Sequence, residues 1–138
     1  MKMNKAIAAI AAGMIGFGAM FSASAAGIGF VNSNALLQAH PKMQKAQLDM
    51  KNAAQKAQEN FNSRSAGKTD QEKQQIATEI QRDLDQKERS TMQPILSDIM
   101  KAIQSVRQEK GLDVILEQGA VVDGGTDVTS AVAAKLAK

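Results

Sequence analysis

The chain has 138 residues, the size of one small domain, and contains no cysteine, tryptophan or tyrosine. Its formal charge of +3 falls to about +1 without residues 1–26, which hold two lysines and no acidic residue. This composition excludes disulfides as a source of stability and argues against nucleic-acid binding through bulk positive charge.

Residues 1–26 have the three parts of a secretory signal peptide. Lys2 and Lys5 supply positive charge, and Ala6–Phe21 is an apolar run followed by the small residues Ala23-Ser24-Ala25. The run has about 16 residues, whereas a membrane-spanning helix needs about 20. We therefore predict that residues 1–26 are removed on secretion. An uncleaved membrane anchor is the alternative.

Residues 27–32 are predicted to form a short strand, with Ile28 and Phe30 on one face because side chains alternate along a strand. Asn32 or Ser33 then follows as the predicted cap of a short helical turn. The turn is expected to end before proline, since the residue that precedes a proline avoids the helical region.

Residues 41–110 favour one long helical hairpin. They are rich in Gln, Lys, Glu, Ala and Met, which lose little side-chain freedom in a helix, and Pro41 suits the first helical position. Apolar residues recur every three or four positions, as in a packed helical seam. The outbound seam comprises Met43, Ala46, Met50, Ala53, Ala57 and Phe61, and the return seam comprises Ile76, Ile80, Leu84, Met92, Ile95, Ile99, Ile103 and Val106.

The predicted reversal of the hairpin lies at Ser65–Asp70. Gly67 can adopt the left-handed conformation that ends a helix, and Thr69-Asp70-Gln71-Glu72 matches the capping box that begins the next one. Pro94 interrupts the return arm, where it removes a helical hydrogen bond. We interpret Pro94 as a hinge near a kink. A passive bend, or the start of a second helix, is the alternative.

The segment after Lys110-Gly111 is predicted to form two strands and a helix. The strands are expected at 112–117 and 120–122, and the helix at 130–137 with Asp127 or Thr129 as its cap. A sheet this short leaves open edges, which favour self-association. The residues assigned to the self-associating body are Ile28, Phe30, Leu112, Val114, Leu116 and Val121.

The fold class that follows is α+β, with a long antiparallel α-helical hairpin rooted on a small β-sheet body. Residues 27–40 and 111–138 form the predicted β-rich body, and residues 41–110 form the arm. An arm with so few large side chains cannot bury a substantial core alone, so we expect the chain to oligomerise.

Six side chains of the arm are candidates for contact with a binding partner. Methionine adapts to many shapes, and Phe61 lies near the tip where packing partners run out. The alternative for the seam residues is packing between the two arms. Positive charge at the tip can meet an acidic partner or a membrane surface. The candidates are Met43, Met50, Phe61 and Met100, with Arg64 and Lys68 as the tip charges.

Residue patterns that signal an enzyme or a cofactor are weak. Ala66-Gly67-Lys68-Thr69 imitates the end of a phosphate loop, but Asn62 stands where the first glycine is required. His40 is the single histidine, so a metal site is not expected. We predict a protein that is not an enzyme and that uses no cofactor and no metal.

Several segments together resemble the Skp/OmpH family of periplasmic chaperones. They are Ile28-Gly29-Phe30-Val31-Asn32, Leu36-Leu37, Pro41, Met92-Gln93-Pro94-Ile95, Ile103, Glu109-Lys110-Gly111-Leu112-Asp113-Val114-Ile115-Leu116 and Gly124-Gly125-Thr126-Asp127-Val128-Thr129. The resemblance implies a homotrimer with a β-barrel body and helical arms around a cavity for unfolded outer-membrane proteins. It also implies a periplasmic location and a holdase that works without ATP. The arms are shorter and the mature charge is closer to zero than is typical of that family. A structural or adaptor coiled-coil protein of the cell envelope is the alternative function.

Overall fold

A computed structural model describes residues 27–138 as four helices and three short strands. The elements in chain order are β1 (Ile28–Val31), α1 (Ser33–Ala39), α2 (Met43–Ser65), α3 (Asp70–Glu109), β2 (Val114–Glu117), a 3₁₀ turn (Gln118–Ala120), β3 (Thr126–Asp127) and α4 (Thr129–Leu136). The predicted combination of a long helical hairpin with a small sheet is confirmed.

The reversal between α2 and α3 follows the predicted local signals. Gly67 has a φ of 71°, in the left-handed region where glycine carries no steric penalty. The Thr69 hydroxyl accepts a hydrogen bond from the Glu72 amide at 3.3 Å, and the Glu72 carboxylate accepts one from the Thr69 amide at 2.9 Å. Both halves of the capping box are therefore present, and α2 and α3 lie side by side in opposite directions.

The two helices of the hairpin have unequal lengths. Helix α2 has 23 residues and α3 has 40, so at 1.5 Å per residue they span about 35 Å and about 60 Å. The additional length of α3 runs back into the body, where it supplies one wall of the core. The buried core residues are Val31, Leu36, Ala46, Ile95, Ile99, Ala102, Val106, Val128, Val132 and Leu136.

The sheet is parallel throughout, with the order β2-β1-β3. Ile28 lies opposite Val114 and Phe30 lies opposite Leu116. Because side chains alternate along a strand, these four residues share the outer face of the sheet. The inner face carries Val31, which is 3% exposed and packs in the core against the helices.

The predicted strand at 120–122 is wrong. Residues 118–120 form a 3₁₀ turn, and the place beside β1 is taken by Thr126–Asp127, which pairs with Gly29 and Phe30. Gly125 permits this pairing, since a side chain there would come within 3.1 Å of the Ile28 carbonyl oxygen. Its φ of 83° also favours glycine.

The boundaries of α2 and α4 differ from the predictions. Helix α2 begins at Met43 instead of Pro41, and α4 spans Thr129–Leu136. The Asp127 carboxylate accepts a hydrogen bond from the Thr129 amide at 2.9 Å at the start of α4. Helix α3 continues through Pro94, so the alternative that Pro94 starts a second helix is wrong. Within residues 27–138, none of the helices has the length and apolar character needed to cross a membrane.

Candidate functional site

An open apolar groove runs along one side of α3. Met92, Leu96 and Met100 follow one another at four-residue spacing, which keeps them on one stripe of the helix. Leu96 is 49% exposed and Met100 is 55% exposed. We call this surface the α3 groove, and its lining residues are Glu88, Arg89, Met92, Gln93, Leu96, Ser97 and Met100.

The α3 groove is exposed because the core occupies a different stripe of the same helix. Ile95 and Ile99 are buried in the body. Each residue is rotated about 100° from the one before it, so Leu96 and Met100 turn away from the core that their neighbours enter. Met100 was predicted from the sequence as a contact residue, whereas Leu96 was not. The four-residue spacing from Met92 was the available signal.

The other apolar candidates of the arm lie apart from the α3 groove. Met43 is half-buried and packs against the body core, which agrees with the packing alternative for this residue. Met50 is half-buried farther along α2. Phe61 is half-buried near the tip, where it lines a hollow with the first turns of α3. The structure therefore does not bring the four predicted apolar contacts together.

The two predicted tip charges are paired within the hairpin. The Arg64 guanidinium lies 2.7 Å from the Glu79 carboxylate, and this hydrogen bond lowers the pKa of Glu79 below its ordinary value. Lys68 lies 3.9 Å from the Glu72 carboxylate. Their positive charge is compensated by these neighbours, so the attraction of the tip for an anionic surface is weakened.

The outer face of the sheet forms a second apolar surface. Ile28 is 47% exposed and Val114 is 37% exposed, with Phe30 and Leu116 half-buried beside them. We call these four residues the outer sheet face. Two short edges flank this face, the four-residue strand β2 and the two-residue strand β3.

Two residues assigned to the self-associating body lie outside the outer sheet face. Leu112 precedes β2 and packs against the core, because the strand begins only at Val114. Val121 follows the 3₁₀ turn and is half-buried outside any strand. The next residue, Val122, is fully exposed.

Pro94 lies on the exposed side of α3, next to the buried Ile95. It stands where α3 passes from the arm into the body, and its hinge role stays a prediction. Within residues 27–138 there is no group of three or more His, Cys, Asp or Glu side chains arranged to hold a metal ion. The predicted signal peptide lies outside the described residues.

A family model described as outer membrane protein (OmpH-like) matches residues 66–136. The matched segment contains the tip of the hairpin, all of α3 and the C-terminal part of the body, including the closing motifs of the predicted resemblance. The opening motifs at residues 28–41 lie before it. No curated protein matches the chain. Because the matched segment covers slightly more than half of the 138 residues, the chain belongs to the outer membrane protein (OmpH-like) family.

Proposed function

We propose that the protein is a periplasmic holdase that binds unfolded outer-membrane proteins between the helical arms of a homotrimer. Membership of the OmpH-like family supports a chaperone for outer-membrane proteins at the level of the family. Binding requires no covalent chemistry and no ATP, since covering apolar surface is itself favourable.

The observation that carries this proposal is the α3 groove. Leu96 and Met100 present about half of their surface to solvent on a helix whose neighbouring stripe is fully buried. Methionine has three rotatable bonds and adapts to irregular apolar shapes, which suits partners of varied sequence. Polar and charged side chains such as Arg89 and Gln93 line the groove beside the apolar stripe.

Self-association would complete the proposed cavity between the helical arms, which we call the cage. The outer sheet face leaves apolar side chains exposed in a single chain, and a further copy can cover them while it satisfies the open strand edges. Three copies would multiply weak apolar contacts with one client, because the first contact raises the local concentration of the others.

The proposed periplasmic location rests on the predicted signal peptide. Removal of residues 1–26 on secretion would deliver the mature chain to the periplasm, where unfolded outer-membrane proteins pass. Contact of the arm tips with the membrane surface is a weaker element of the proposal, since Arg64 and Lys68 are paired with acidic neighbours.

The test is aggregation of an unfolded β-barrel protein diluted from urea, followed by light scattering. The mature chain is expected to suppress aggregation at a near-stoichiometric ratio of trimer to client. The double variant Leu96→Gln, Met100→Gln keeps good helix formers while removing the apolar stripe. We expect it to need at least about tenfold more protein for half-suppression, because covering each half-exposed side chain contributes about 1 kcal/mol.

Leu48→Gln is the matched control, since Leu48 is 57% exposed on α2 outside the α3 groove. It should suppress aggregation nearly as well as the wild-type chain. Full suppression by the double variant would remove the α3 groove from the mechanism. Failure of the wild-type chain to suppress aggregation at any ratio would favour an adaptor with a folded partner.

A further inference from the structure

His40 joins three helices through its backbone and its ring. Its amide donates to the Leu37 carbonyl at the end of α1, and its carbonyl accepts from the Met43 amide at the start of α2. Ring atom Nδ1 accepts from the Lys42 amide at 3.1 Å, and Nε2 lies 3.3 Å from the Asp98 carboxylate on α3. The residue is only 4% exposed.

The ring of His40 replaces the side-chain cap that α2 otherwise lacks. Lys42 is the residue before the helix and forms no side-chain capping bond. The first amides of a helix have no partner inside the helix and must find an acceptor. His40 supplies two acceptors, its Nδ1 for Lys42 and its carbonyl for Met43.

The bonds of the ring define one neutral form of the imidazole. Nδ1 accepts a hydrogen bond, so the proton lies on Nε2, where it is donated to the Asp98 carboxylate. A second proton would have to bind at Nδ1. A protonated Nδ1 is a donor and cannot accept the Lys42 amide.

Charged groups surround His40 on several sides. Asp98 faces it from α3 and favours the protonated ring, and Lys42 lies 3.9 Å from the same carboxylate. Ammonium groups that oppose protonation line a hollow beside His40, and α1 contributes no charged side chain. These opposing lysines are Lys42, Lys101, Lys135 and Lys138.

We propose that His40 forms a proton-sensitive connection between α1, α2 and α3 at the base of the arm. We call this connection the joint. Protonation of Nδ1 breaks the bond to the Lys42 amide, while the bond from Nε2 to Asp98 becomes charge-assisted and stronger. The ring therefore stays on α3 and the first turn of α2 is released. An imidazole can gain a proton on mild acidification, so lowering the pH is expected to loosen the arm. The joint is a property of the fold and does not depend on client binding.

The test uses the complete mature chain, residues 27–138, whose single histidine gives one imidazole signal in a proton NMR titration. We expect amide exchange at Lys42 and Met43, corrected for the intrinsic rate, to rise about fivefold to tenfold as that signal titrates. This factor corresponds to the loss of one ordinary hydrogen bond. Spin labels at Gln47→Cys and Gln104→Cys, diluted with unlabelled chain, should report a longer and broader distance over the same pH range.

His40→Asn separates the cap from the titration. An asparagine oxygen can accept the amide two residues ahead and does not protonate, so both pH profiles should become flat. Asp98→Asn keeps an oxygen acceptor for Nε2 without the charge, and it should move both transitions to lower pH. Asp85→Asn is the matched control, because Asp85 lies on α3 and accepts from Gln81 at 2.8 Å, away from His40.

Three results would contradict the proposed role of His40. One is a pH profile of His40→Asn that matches the wild-type chain, and another is an equal displacement of the transitions by Asp98→Asn and Asp85→Asn. The third is a wild-type imidazole that titrates while amide exchange and label distance stay constant. If His40→Asn does not fold, the comparison of the two aspartate variants decides.

Discussion

Ile95 and Leu96 are adjacent on α3 but have opposite surroundings. Ile95 is 1% exposed in the body core, and Leu96 is 49% exposed in the α3 groove. Ile95→Ala should lower the free energy of unfolding by about 2–5 kcal/mol, since it leaves a cavity among buried side chains. Leu96→Ala should change it by no more than about 0.5 kcal/mol, which urea titration at one fixed protein concentration can compare. Equal losses for the two variants would contradict the burial pattern of α3.

Glu117 connects the end of β2 to the start of α1. Its carboxylate accepts hydrogen bonds from the Ser33 hydroxyl and from the Ser33 amide, and the hydroxyl bond contributes most to lowering the pKa of Glu117 below its ordinary value. A lowered folded-state pKa stabilises the fold above the unfolded-state pKa, about 4.3 for glutamate. This contribution is lost as the pH falls from there through the folded-state pKa.

Glu117→Gln should therefore flatten the acid side of the stability profile. The variant should be less stable than the wild-type chain at pH 7, and the difference should shrink as the pH falls below about 4. Urea midpoints measured from pH 7 to pH 3 test this. A difference that stays constant over that range would mean that the charge of Glu117 does not contribute.

At the scale of the element, the outbound seam of the hairpin is thinly filled. Ala53 and Ala57 face Ile80 and Leu84 across a hollow of about 250 Å³ that is open to solvent. At a fully covered site, an alanine contributes about 2 kcal/mol less free energy of burial than a leucine, because it buries less apolar surface. We therefore expect the two helices of the arm to be loosely held beside this hollow.

Ala57→Leu should fill part of the hollow and tighten the arm. We expect slower amide exchange across residues 46–82, with a gain of up to about 2 kcal/mol in local opening free energy. Ala54→Leu adds the same side chain at an exposed position of α2 and is the control. Equal exchange in the two leucine variants would show that the hollow does not limit the stability of the arm.

At the scale of the whole molecule, the outer sheet face should determine the association state. Val114→Lys places a charge on this face, where Val114 is 37% exposed, and should lower the mass measured by light scattering after size exclusion. Val122→Lys makes the same substitution at a fully exposed residue outside the sheet and should leave the mass unchanged. A wild-type monomer at micromolar concentration would contradict the proposed cage.

The helical hairpin, its reversal and the first short helix could be predicted from the sequence because their signals are local. Gly67, the Thr69–Glu72 capping box and the Asn32 cap each act within a few residues of the chain. A helix also repeats its apolar pattern over many turns, so the periodicity of 41–110 indicated the right elements although the start of α2 was displaced by two residues.

The third strand, the buried stripe of α3 and the environment of His40 depend on segments that are distant in sequence. β3 forms beside β1 because Gly125 allows the two backbones to approach. Ile95 is buried because α1 and α4 pack on that side of α3. His40 meets Asp98 across 58 residues. A local pattern carries no information about such partners, so only the packed chain could decide which apolar residues are covered and which stay open.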